Sequence, residues 1–176
     1  GTKIITPTPH ETAMYFAASA AGNSACLSRQ VGASILDKDR NIISVGWNDV
    51  PRSGGGLYRC DDTTSDEDHR CWNLRGGICF NDNEKDNIVQ TIVNELKNAN
   101  IISTNNESLA KNIIMKNEKV KNLIEFSRSV HAEMHAIINA GSAGNGTTVG
   151  SNMFVTTYPC HSCARHIVAA GITEVY

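Results

Sequence analysis

His131-Ala132-Glu133 and Pro159-Cys160-His161-Ser162-Cys163 hold the residue types of a hydrolytic metal centre. One imidazole and two thiolates make a mixed nitrogen and sulfur ligand set, and Glu133 is a carboxylate which that set does not need. Zinc prefers a tetrahedron of four ligands, and a catalytic site keeps the fourth position for water. Metal held this way lowers the pKa of its water from ~15.7 toward ~7. Glu133 is then left to move protons between water, substrate and leaving group. A purely structural zinc would call for a fourth protein ligand and would have no use for a Glu at this offset. C-x-x-C alone is ambiguous, since it also marks redox and structural zinc sites. His135 lies one helical turn after His131, but a two-histidine helical zinc site usually reads H-E-x-x-H. Here the Glu is at the wrong offset and the cysteines would be left over, so His135 is read as structural. His161 and His166 are read as lying outside the ligand set.

Elements that begin at these motifs must position them. Val130 to Ala140 reads as a helix stopped by Gly141, and Cys160 to Ala170 as a helix stopped by Gly171. Pro159 suits the approach to a helix start, and helix N-termini favour thiolates. Asn152 to Thr157 reads as a strand, and a further β-run starts at Thr173. In the first half, Glu11 to Leu27 reads as a helix broken near Gly22. Val31 to Leu36 and Asn41 to Val45 form a hairpin through Asp37-Lys38-Asp39-Arg40. Residues 49–83 are irregular and carry acidic clusters at Asp61-Asp62 and Asp66-Glu67-Asp68. Residues 84–126 have helical periodicity on Ile88, Ile92 and Leu96, then Leu109, Ile113 and Ile114, with a polar break at 103–106. Alternation of helix and strand predicts an α/β fold, three layers with a mixed central sheet. Gly141 to Thr148 has P-loop glycine spacing without the lysine that reaches phosphate, and is read as a plain loop.

The chain of 176 residues is 40% hydrophobic and 19% charged, as one globular domain would be. Its formal net charge of -2, with Lys and Arg spread thinly, argues against a strong grip on nucleic acid. No apolar run approaches the ~18 residues of a membrane span. Cysteines 26, 60, 71, 79, 160 and 163, with no secretory leader before them, are read as reduced thiols and metal ligands in a cytoplasmic protein. A start at Gly1 and a stop at Tyr176, inside the last β-run, read as a piece of a longer protein.

The pairing of H-x-E with P-C-x-x-C is the signature of zinc deaminases acting on nucleobases, and the chain resembles the cytidine/deoxycytidylate deaminase superfamily. Ser28-Arg29-Gln30-Val31-Gly32-Ala33 and Gly46-Trp47-Asn48-Asp49-Val50-Pro51 are similar to that family's "R-x-V-G-A" strand and "G-Y-N-G-x-P" turn. Trp47 stands where Tyr is usual and Asp49 where Gly is usual. The resemblance implies that Asn48 bonds the sugar and Arg29 lies near the 5′-phosphate, with Ala132 and Tyr158 also at the substrate. The bland alternatives are a turn residue for Asn48 and a solvated side chain for Arg29. Residues 125–134, 156–167, 48–51 and 54–58 look closest to the deaminase module of bacterial two-domain antiphage deoxycytidine-nucleotide deaminases, which carry a P-loop domain before it. That likeness implies zinc, a dCMP or dCTP substrate, pool depletion in antiphage defence, a homo-oligomer and an allosteric nucleotide. It also implies a further strand and helix beyond Tyr176.

The stretch 52–129 is a long insertion. Cys60, Cys71 and Cys79, with His69, are candidates for a second, structural zinc, against a plain reading as thiols. The helices at 84–126 are read as packing elements that could also cover the pocket or an oligomer interface. Two other functions compete: a polynucleotide (tRNA or single-stranded DNA) editing deaminase, which would need a basic groove and aromatics, and a non-catalytic zinc module, which the intact Glu133 opposes.

Overall fold

The computed structural model describes residues 3–60, 67–144 and 146–176, and of Arg75 the backbone alone. Helix α1 spans Pro9–Ala21. Its start is fixed by a capping box: Thr8 Oγ1 accepts from the Glu11 N–H at 3.2 Å, and Glu11 Oε2 accepts from the Thr8 N–H at 2.7 Å. The helix stops at Gly22 and does not reach Leu27, because residues 22–30 turn back toward the strands.

Strand β1 (Gly32–Leu36) and strand β2 (Ile42–Trp47) form the expected antiparallel hairpin, and β1 also pairs antiparallel with β3 (Asn152–Val155). Strand β4 (Glu174–Val175) joins β3 in parallel, so the sheet is mixed with order β2-β1-β3-β4. Central position explains why every residue of β1 is buried. Ala33 and Ile35 pack with Ala132, Ala136 and Ile167 on one face, while Leu36 packs with Ala13 and Ala17 on the other. Ser34 also turns to the α1 face, where its hydroxyl donates to the Ala13 carbonyl at 2.7 Å. Helices α5 (Ala132–Ala143) and α6 (His161–Ala169) cover the first face, which completes three layers. Gly46 brings α5 down onto β2: a Cβ there would run into the backbone of Ala132 and Ala136.

A second helix end, after that of α1, differs from the sequence reading. Helix α5 passes through Gly141 and ends at Gly144 (φ 62), where the left-handed cap is made. Helix α6 is followed, as expected, by Gly171 (φ 75). The 52–129 stretch folds as α2 (Phe80–Asn98), α3 (Glu107–Lys116) and the short α4 (Glu118–Lys121). The buried residues of α2 are Val89 and Val93, beside the stripe read from the periodicity. In α3 the stripe lies at the surface, with Leu109 and Ile113 exposed. Asp61, Asp62 and Asp66 of the acidic clusters lie outside the described residues. Among the described residues no helix is long and apolar enough to cross a membrane.

Candidate active site

His131 is the N-cap residue of α5 and Cys160 the N-cap residue of α6, so the two motif halves meet where two helices begin. The Cys160 sulfur accepts from the Cys163 N–H at 3.4 Å, the bond a capping side chain makes. His131 Nδ1 lies 3.5 Å from Cys160 Sγ and 3.4 Å from Cys163 Sγ. All three ligand atoms fall within 4.8 Å of one another. A tetrahedral zinc with Zn–S of about 2.3 Å and Zn–N of about 2.0 Å separates its sulfur and nitrogen ligands by about 3.5 Å. The donor set therefore fits zinc in both chemistry and spacing. Burial first, and the Glu133 carboxylate second, push the Cys163 thiol well above its ordinary range. A divalent cation is the charge that would relieve this.

Glu133 sits in the first turn of α5 and is 3% exposed. It lines a cavity of about 290 Å³ together with His131, Ala132 and Cys160. Arg29, Asn48 and Tyr158 line the same cavity. Ala132 is fully buried, whereas Tyr158 is 94% exposed and stands at the mouth. Asn48 Oδ1 accepts from the Val31 N–H at 2.7 Å and its Nδ2 donates to the Arg29 carbonyl at 2.8 Å. Those bonds hold the Arg29–Val31 backbone at the cavity edge. Arg29 Nη1 donates to Thr157 Oγ1 at 2.8 Å, tying it to the loop that leads to Cys160.

His135 is not among the ligands. Its Nδ1 lies 3.1 Å from both the N–H and the carbonyl of Trp47, and its Nε2 lies 3.1 Å from Asn139 Nδ2. Its ring meets Trp47 edge-on at 4.7 Å. Burial holds its pKa below the usual histidine value. It packs α5 against β2 as a neutral ring.

The proposed second zinc set does not gather in the same way. Cys71 is buried and Cys79 half-buried, while Cys60 and His69 are exposed. Among the described residues the metal-ligand group of this kind is His131, Cys160 and Cys163. Among the described residues no disulfide joins any of the six cysteines.

Sequence reasoning missed one wall of the cavity. Cys26, Cys71, Cys79, Phe80, Asn81, Ile124, and Ser127 through Ser129 all line it. The start of α2 and the run before His131 thus close over the site, next to the helices at 84–126 whose default reading is packing and whose alternative is to cover the pocket. Arg128 carried a readable signal: it is a cation three residues before a metal ligand.

A three-layer fold with a mixed sheet, and a zinc-type triad beside a buried Glu at two helix starts, define a hydrolytic zinc deaminase. Residues 7–176 match the cytidine and deoxycytidylate deaminase zinc-binding region, and the chain belongs to that family. The deoxycytidylate deaminase of Enterobacteria phage T4 is 31% identical over 153 residues, which span 86% of this chain and 68% of that protein. The deoxycytidylate deaminase of Homo sapiens is 48% identical over 46 residues, 26% of this chain and 24% of that one. The crystal structure of dCMP deaminase from the cyanophage S-TIM5, in complex with dCMP and dUMP, superposes with a TM-score of 0.52. That match covers 98% of this chain and 82% of the other at 19% identity, and it establishes the shared fold.

Proposed function

We propose that this protein hydrolyses the exocyclic amine of a deoxycytidine nucleotide, dCMP or dCTP, giving the deoxyuridine nucleotide and ammonia. The observation that carries this reading is the buried Glu133 in a cavity shared with His131 and Cys160, with Cys163 in the same ligand cluster. His131, Cys160 and Cys163 would hold the zinc. When bound, zinc supplies the Lewis acidity that lets water act as a nucleophile at neutral pH.

Glu133 takes a proton from the water that attacks C4 and passes it to N3 of the ring. It then delivers the second proton to the leaving amine, so the C4–N bond breaks with ammonia as the product. Its burial keeps bulk water away from this relay. Ala132, at the first position of α5, offers a backbone N–H with no partner inside the helix. Asn48 keeps one amide hydrogen beyond its two backbone bonds for the sugar, Arg29 meets the phosphate, and Tyr158 borders the entrance.

A free nucleotide is favoured over a polynucleotide by the small cavity and by the relatives named above, which are deoxycytidylate deaminases. A role in depleting nucleotide pools against phage, with a P-loop domain, a homo-oligomer and an allosteric nucleotide, extends the reading on the strength of motif resemblance. The deciding assay offers deoxycytidine, dCMP, dCTP and a short single-stranded DNA in parallel and measures uracil product, with Glu133→Ala as control. Conversion of dCMP or dCTP that disappears in the control is expected. Conversion of the DNA alone would overturn the substrate.

A further inference from the structure

Two cations, Arg29 and Arg128, line the cavity over Glu133, and Glu133 is the acid among its lining residues. The two arginines come from different segments. Arg29 precedes β1 and is tied to Thr157. Arg128 belongs to the run that enters His131; its Nη1 donates to the His69 carbonyl at 3.0 Å, and its guanidinium lies 4.8 Å from the centre of the Phe80 ring. Among the described residues neither arginine is in an ion pair. Asp68, next to the carbonyl that Arg128 contacts, is spent on Arg70 at 2.7 Å. A guanidinium held over an aromatic ring and tethered by one N–H still has other N–H groups to offer, and such a fork suits a phosphate.

The same wall holds an acceptor with nothing to accept. Asn81 lines the cavity, its Nδ2 donates to the Leu123 carbonyl at 2.9 Å, and its Oδ1 is buried without a partner among the described residues. A buried acceptor left this way is costly unless a ligand supplies a hydroxyl. A polar ligand with an anionic end satisfies both features of this wall.

We propose that Arg128 is a specificity-determining residue that grips the phosphate of the nucleotide substrate, jointly with Arg29 and held in place by Phe80. This rests on the deamination reading above and adds to it where the nucleotide is separated from the bare nucleoside. The competing role for Arg128 is to anchor the loop at His69.

The test compares wild type, Arg128→Gln and Arg128→Lys for turnover of deoxycytidine and dCMP, with zinc content measured on each. Arg128→Gln is expected to lower kcat/KM for dCMP about 100-fold, mostly through KM, the scale of a lost charge-assisted contact. Deoxycytidine turnover and zinc content should stay within about twofold, since the nucleoside makes no such contact. Arg128→Lys should recover part of the loss. Equal losses on deoxycytidine and dCMP would make Arg128 a loop anchor and overturn the proposal. Calorimetric binding of dCMP to Glu133→Ala, with and without Arg128→Gln, reads the phosphate grip without turnover. Arg128-dependent binding in a wild type that deaminates nothing would uphold the grip and sink the deamination reading. Binding of dCMP that ignores Arg128, or no binding, would sink the grip.

Discussion

The N–H of Val130 donates to the carbonyl of Asp49 at 2.9 Å, so the residue before His131 is stitched to the residue after Asn48. The Asp49 side chain extends the same junction. Its Oδ2 accepts from the Ala25 N–H at 2.9 Å and its Oδ1 from the Val50 N–H at 2.8 Å. One residue therefore joins the loop before β1, the end of β2 and the approach to α5. Burial pushes its pKa above the ordinary carboxylate value despite those bonds.

Asp49→Ala removes the acceptor of two backbone N–H groups in a buried place. It should cost about 2–4 kcal/mol of stability and weaken nucleotide binding, while zinc stays bound. Chemical denaturation and metal analysis read the two effects separately. The raised pKa also fixes a sign. The Asp49 contribution is largest below the unfolded value of about 3.9 and declines as pH rises through the higher folded value. Wild type should thus lose stability relative to Asp49→Asn as pH climbs out of the acid range; a constant gap from pH 4 to 7 would refute this.

His135 gives the opposite pH trend. Its folded pKa is lowered by burial, so the unfolded chain takes up the proton first. Stability should be fully present above about pH 6.5 and fall as pH drops below that toward the folded value. Thermal melts of wild type should show this loss, and His135→Gln should flatten it.

Cys160→Ser and Cys163→Ser each remove a thiolate from the triad. Bound zinc should drop from about one per chain to near zero, and activity by more than about 1000-fold, because zinc both holds the site and activates water. Cys160→Ser should be milder for helix capping, since a serine hydroxyl also caps. Atomic absorption and melting curves on the two variants check both points.

Gly46→Ala forces a methyl group into the backbone of Ala132 and Ala136. Overpacking costs about 1–3 kcal/mol when side chains can yield, and here the obstacle is main chain. The expected result is a loss at the upper end of that range or beyond, with α5 displaced and turnover lost. A variant with wild-type stability and activity would show that α5 does not need its close seat on β2.

The clustering of His131, Cys160 and Cys163, with Glu133 beside them, was legible because these residues sit close in the chain and their spacing is set by helix starts. The hairpin was legible because Ile35, Ile43 and Val45 are β-branched and the turn between them is polar. The far wall was not. Phe80 and Asn81 reach the cavity only through tertiary packing of an insertion, and no local period records it. Glycine also misled at one helix end. Gly141 carries the sequence signal of a helix stop, yet α5 continues through it, because its φ is not left-handed. The cap falls at Gly144, where the backbone turns left-handed.

The cavity draws its reactive side from α5, α6 and the sheet ends, and its other side from the stretch between Pro51 and Val130. Part of the cavity wall, Arg128 included, is therefore carried by a stretch separable from the reactive side, while Arg29 and Asn48 sit outside that stretch. Sequence change in the insertion can retune which nucleotide is admitted without moving a ligand atom, so substrate choice in this architecture is free to drift while the hydrolytic centre stays put.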